Sequence, residues 1–168
     1  MNKRKTISLF LLLFISGCFN LDFVYEAPKF IDDISEKTLL SVDGDDDHII
    51  SAYIVGQLKT PNNDPDYLLS VNSVKSITAS VIEIDATASK FDVKYEISYN
   101  LKNIKKGCLI IKENIKTRVS YNSKSAGYSF GTDVSKKEIS TKAIHSNINK
   151  FLENLNTSKL NLDCENES

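Results

Sequence analysis

The strongest constraint on the fold lies between Phe91 and Tyr121. Phe91, Val93, Tyr95, Ile97, Tyr99 and Leu101 alternate with Asp92, Lys94, Glu96, Ser98, Asn100 and Lys102. Period-two alternation in β-branched and aromatic types marks a strand with one buried face. Leu109, Ile111, Ile115, Thr117, Val119 and Tyr121 repeat it against Lys112, Asn114, Lys116, Arg118 and Ser120. Glu113 breaks the apolar set and Ile110 the polar one. Lys105-Lys106-Gly107 between the runs reads as a three-residue hairpin loop, with Gly107 supplying the positive φ. That loop closes on Ile104 opposite Cys108. It sets Phe91 against Tyr121, Val93 against Val119, Tyr95 against Thr117 and Ile97 against Ile115. A slip of one residue would oppose apolar to polar side chains throughout. The hairpin therefore needs a cover on one face and keeps a wet, lysine-bearing face on the other.

The N-terminus belongs to a different kind of segment. Lys3, Arg4 and Lys5 precede an apolar run from Ile7 to Ile15 and then Ser16-Gly17-Cys18. That run is too short to span a bilayer, which takes about 17 residues or more. A short apolar core behind positive charge and ahead of small residues reads as a secretory signal over residues 1–17. Ile15-Ser16-Gly17-Cys18 resembles the lipobox of bacterial lipoproteins, in which the cysteine becomes the first residue and carries the lipid. Acyl chains on Cys18 would hold the protein to a membrane, at about 0.8 kcal/mol per buried methylene. By the same resemblance, Phe19 after the cysteine favours the outer membrane. Without Lys3, Arg4 and Lys5, the 21 basic residues fall to 18 against 22 acidic, a formal charge near −4. A mildly acidic body does not read as a nucleic-acid binder. Cys108 and Cys164 can pair in an oxidising compartment or stand as two thiols; both readings stay open.

Residues 18–30 read as a lipidated tether, apolar and aromatic, with Pro28 excluding a regular helix through it. One domain follows over 31–156, with a polar tail over 157–168. Ile31–Lys37 is ambiguous, and Thr38–Val42 is a short strand stopped by Asp43-Gly44. Ile50, Ile54 and Leu58 recur at helical spacing, with Ile49 and Tyr53 beside them. Asp45-Asp46-Asp47 ahead of them fits N-terminal capping. A calcium loop is disfavoured, because His48 and Ile54 stand where an EF-hand needs Gly and Glu. Pro61–Pro65 ends that helix. A strand opens at Tyr67, Leu69 and Val71 and runs toward Ile84, and Ser76–Ser89 reads as strand ends around a connection. After a polar loop over Asn122–Gly131, Ser135-x-x-Glu138 fits a capping box. The last helix then carries Ile139, Ala143, Ile144, Ile148, Phe151, Leu152 and Leu155 inward. The order β-α-β-β-β-α implies an α+β two-layer sandwich, a four-stranded antiparallel or mixed sheet with two helices on one face.

No nucleophile–base spacing, Gly-rich phosphate loop or Cys/His metal cluster occurs, so the chain does not read as an enzyme. No cofactor or metal ligand set is expected, and His48 and His145 read as surface or boundary residues. The wet face of the hairpin stands out instead. Its register puts Glu96 opposite Lys116, a helpful pair, and Lys94 opposite Arg118, a like-charge pair that an anion would bridge. Lys94, Lys116 and Arg118 are therefore the candidate ligand-binding residues, for phosphates or carboxylates.

With the lipobox and this element order on view, the second half of the chain resembles the LPS-assembly lipoprotein family LptE (RlpB), in its alphaproteobacterial form. Asp85-Ala-Thr-Ala-Ser leading into Phe91–Leu101 is similar to the family's small-residue turn and central strand. Ser120-Tyr121-Asn122 followed by Tyr128 is similar to the segment that leads into its final helix. Cys18–Tyr25 is similar to its post-lipid stretch, without the usual glycine and proline. The resemblance implies a non-enzymatic outer-membrane lipoprotein on the periplasmic face, with two partners. One is the LptD barrel, whose lumen it plugs and whose assembly it assists; the other is lipopolysaccharide. An auxiliary lipoprotein of an ABC-type lipid transporter and a lipid-anchored hydrolase are the alternatives.

Overall fold

In the computed structural model, residues 29–59, 61, 64–82, 88–122 and 129–157 are described. The signal segment, Cys18, the leader that follows it, Cys164 and the tail after residue 157 fall outside them. In chain order the elements are helix α1 (Lys29–Ile34), strand β1 (Thr38–Gly44), helix α2 (Asp47–Leu58), strands β2 (Tyr67–Ile82), β3 (Ala88–Asn103) and β4 (Cys108–Asn122), and helix α3 (Ser129–Thr157). The strands lie side by side as β1-β2-β3-β4. β1 runs parallel to β2 and the other pairs are antiparallel, so the sheet is mixed. This is the expected α+β architecture.

The parity of β3 and β4 decides which face is covered. Val93, Tyr95, Ile97, Tyr99, Leu101 and Ile115 are buried, and they join Leu69 and Val71 of β2 in one core. The helices supply the opposite wall: Ile34 from α1, Ile50, Ile54 and Leu58 from α2, and Ala143, Ile144, Ile148, Phe151, Leu152 and Leu155 from α3. Tyr99 stacks on Phe151 with ring centroids 4.0 Å apart. Its hydroxyl donates to Asn147 Oδ1 at 2.8 Å, and Asn147 Nδ2 donates to Ile115 O at 2.9 Å and Thr117 Oγ1 at 2.7 Å. A buried amide so satisfied ties α3 to β3 and β4 at one position. Burial, with Glu113 nearby, pushes the Tyr99 hydroxyl well above its usual range.

Phe91–Tyr121, Val93–Val119, Tyr95–Thr117 and Ile97–Ile115 are paired as the alternation requires. The hairpin end is not as expected. Leu101 pairs with Ile111 but Lys102 with Leu109, so Ile110 is an extra, bulged residue. The last pair is Asn103–Cys108 rather than Ile104–Cys108, and the turn has four residues instead of three. Asn103 closes it, its carbonyl accepting from Gly107 N at 2.9 Å and its Oδ1 from Lys106 N at 2.9 Å. Gly107 takes the positive φ, +71°. Cys108 is disulfide-bonded, and its partner falls outside the described residues.

Three further expectations are corrected. Ile31–Lys37 begins inside a helix, since α1 starts at Lys29, within the stretch read as tether, and its Ile34 is core. α3 opens at Ser129, so Ser135 sits inside the helix and is not its N-cap. Asp46 is the N-cap of α2 but makes no side-chain cap bond; its carboxylate is committed elsewhere. At the end of β1, Gly44 adopts φ +101° directly against Ser73 of β2.

Candidate functional site

The face of the sheet away from the helices presents its residues in rows across three strands. Thr78, Asp92 and Ser120 form one row; Ser76, Lys94 and Arg118 the next; Val74, Glu96 and Lys116 the third. The three candidate cations thus come together on one surface. Val74, Ser76, Lys94, Glu96, Lys116 and Arg118 border an open concavity of about 460 Å³.

Their charges are not equivalent. Lys116 Nζ lies 3.3 Å from Glu96 Oε2, both exposed, a pairing that contributes little in water. Arg118 is held by Asp92, whose side chain is 5% exposed while that of the arginine is 63% exposed. Ser120 Oγ donates to the other Asp92 oxygen at 2.5 Å. Hydrogen bonds from Ser120 and Arg118 keep the Asp92 carboxyl below its ordinary range. Lys94, opposite Arg118, has no carboxylate partner among the described residues. Asp92 therefore offsets the like-charge pair at one side and anchors the guanidinium, while Lys94 remains available. The alternation places Asp92 on this face, but its role follows from Ser120 and Arg118 meeting it across the register. That register was legible; the withdrawal of Asp92 from water was not.

A second polar cluster joins α2 to the sheet. Asp46 is in the left-handed region at φ +55°. Its Oδ2 accepts from Lys75 Nζ at 2.8 Å and from the Tyr95 hydroxyl. Asp45 Oδ2 accepts from Lys75 N at 2.7 Å. Partial burial alone would raise the Asp46 pKa, but the bonds from Lys75 and Tyr95 outweigh it and lower it. These partners are far apart in sequence, so no local pattern announces them.

The lowered carboxylates have a consequence for acid stability. Asp46, Asp92 and Asp66, which takes a hydrogen bond from Lys105 at 2.6 Å, all titrate below 3.8, the value of an unperturbed aspartate. A group with a depressed folded pKa adds stability above its unfolded pKa and loses it as pH falls through the folded value. Thermal midpoints should be level above about pH 5 and drop below about pH 4. A midpoint unchanged down to about pH 2 would contradict this account.

His48 is exposed, and the half-buried His145 stacks on Tyr53 with ring centroids 3.8 Å apart. Tyr53 also donates to Asn149 Oδ1 at 2.8 Å, so both rings serve the contact between α2 and α3. Among the described residues no three of His, Cys, Asp or Glu converge as metal ligands. None of the described helices is long and apolar enough to cross a membrane.

No protein-family model matches the chain, and no curated protein matches it by sequence. Solved structures do match. A candidate lipoprotein of Caulobacter crescentus superposes with TM-score 0.56 at 17% identity, over 77% of this chain and 93% of that one. A minor lipoprotein of Acinetobacter baumannii gives 0.56 at 13%, over 76% and 96%. The rare lipoprotein B of Shewanella oneidensis gives 0.54 at 9%, over 70% and 92%. The likeness is one of fold. It spans nearly the whole of each of those chains, so the two-layer domain described above is their shared body.

Proposed function

We propose that the protein is a non-enzymatic lipoprotein, anchored through Cys18 to the periplasmic face of the outer membrane. It associates with an LptD-like barrel and assists the assembly and insertion of lipopolysaccharide. The lipobox and a fold similar to that of rare lipoprotein B support this reading. A domain with one bare polar face also suits a barrel lumen, which is polar and wet. The observation that carries the ligand assignment is the Ser76–Lys94–Arg118 row, where two cations stand opposed and Lys94 has no carboxylate partner among the described residues. Phosphate or carboxylate groups of an anionic head group would bridge them, Arg118 as a fork and Lys94 as a point charge.

The test spares Arg118, because removing it would leave the buried Asp92 short of a partner. Lys94→Gln combined with Lys116→Gln should weaken lipopolysaccharide binding about tenfold or more, since charge-assisted bonds contribute about 1.5–3 kcal/mol each. Binding by the parent should weaken with salt. Unchanged affinity in the folded double variant removes this face as the ligand site. Cys18→Ser should abolish labelling by radioactive palmitate and release the body from the membrane fraction or leave the precursor uncleaved. Purification in detergent tests the partner: an outer-membrane barrel should accompany the protein. Inner-membrane transporter subunits in its place would replace this reading with the auxiliary-transporter one.

A further inference from the structure

Among the described residues the sheet has two outer edges that differ in chemistry. β4 carries Lys112, Lys116 and Arg118 along its length, and charge on an edge strand guards against pairing with another chain. The other edge is divided. β1 covers β2 only from Tyr67 to Ser73, and among the described residues no strand continues past Gly44. The outer part of β2, Ser76–Ile82, is therefore an edge of its own, with no charge and no proline. Ile77, Val81 and Ile82 are 40, 43 and 67% exposed along it. An unguarded apolar edge of this kind is a template for strand addition.

Backbone direction selects the residues that can pair. Asp45 N donates to Ser73 O at 3.0 Å, and Lys75 N donates to Asp45 Oδ2. Odd-numbered residues of β2 thus turn their N–H and C=O away from β3. By the alternation of an antiparallel ladder, Ile77 and Ala79 do the same. The bulge after Ala79 ends that pattern.

We infer that this edge pairs with the same edge of a second copy of the chain, antiparallel, about a two-fold axis at Thr78. Directly opposed residues in antiparallel strands face the same side, so the axis must fall on a residue. Centring on Thr78 sets Ile77 of each copy against Ala79 of the other, and each such pair exchanges two backbone hydrogen bonds. Thr78 meets Thr78, a favourable cross-strand pair, and no like charges are opposed. Beyond Ser80 the partner's Val81 and Ile82 would come opposite Lys75 and Val74, where Asp45 already takes the Lys75 N–H, so the ladder ends at the Ser76–Ser80 pair. The contact is self-complementary and closes at two copies. It joins the two sheets edge to edge, with both polar faces on the same side.

Sedimentation equilibrium of the full lipidated chain in detergent should show a mass that doubles with concentration. Opposed Cα atoms of a non-hydrogen-bonded pair lie about 4.5 Å apart, within disulfide reach. Thr78→Cys should therefore cross-link on oxidation, and Lys116→Cys, exposed but far from the axis, should not. Thr78→Lys puts two ammonium groups face to face and should give a monomer, with an unchanged melting temperature at dilutions where the parent has also dissociated. A parent that stays monomeric at its highest soluble concentration overturns the inference, as does equal cross-linking of the two cysteine variants. A monomeric parent whose Thr78→Lys variant fails to join a purified barrel assigns the edge to the barrel, and overturns self-pairing too.

Discussion

Replacing Ile97 by Asp should abolish the cooperative thermal transition altogether. Ile97 is fully buried, pairs with Ile115 across the hairpin, and lies beneath the helices in the one core. Its neighbour on β2 is Ser73, whose buried hydroxyl is a single neutral donor and cannot offset a carboxylate. An unpaired charge in such a place costs several kcal/mol or shifts its pKa until it is neutral, and a buried neutral acid is still short of partners. Domains of this size have only about 5–15 kcal/mol of stability to lose. Lys116→Gln, on the other face of the neighbouring strand, removes one exposed ion pair and should change stability by about 0.5 kcal/mol or less. Circular dichroism melts of the two variants make the comparison. Equal melting curves would mean the faces of the sheet have been assigned the wrong way round.

The second large effect is expected at Gly44. A Cβ built there would stand 2.1 Å from Ser73 O and 3.0 Å from Ser73 N and C. All three are backbone atoms of the neighbouring strand, so no side chain can swing aside to make room. The φ of +101° is in addition one that L residues rarely adopt. Gly44→Ala must push β1 off β2 where the parallel ladder hands over to the Asp45–Ser73 bond. A loss of about 3–5 kcal/mol is expected, from steric overlap and backbone strain acting together. Chemical denaturation reads it as a shift of midpoint with little change of slope. A shift equivalent to less than about 1 kcal/mol would show that β1 yields easily and that the close approach is unimportant.

The parts legible in the sequence were those that depend on periodicity. Alternation in Phe91–Leu101 assigned every residue of that stretch to a face, and the hairpin register followed because one face must be dry. The rows that bring Lys94, Lys116 and Arg118 together are a direct consequence. The misread hairpin end has a local cause: Ile110 interrupts the polar set because it is the bulged residue, and a bulge shifts all pairing beyond it. Ser135-x-x-Glu138 imitates a cap and sets the start of α3 too late, since the helix opens six residues earlier. Six residues at α1 are too few for a helical period to show against the background. The aspartates before α2 read as caps because caps are local. Asp46 instead reaches Lys75 and Tyr95, partners that only the assembled sheet supplies.

The single-sided core divides the chain's positions into two populations with different freedom to change. On β3, substitutions at Val93, Tyr95, Ile97, Tyr99 and Leu101 must answer to the volume and polarity of the interior, where a methylene more or less is felt. Lys94, Glu96, Ser98 and Asn100 answer to no packing partner beneath a helix. The second set can drift, or be selected for another ligand, while the first keeps the architecture. A scaffold built this way separates heredity of shape from heredity of specificity. Domains that superpose over most of their length at 9–17% identity are what such a separation permits.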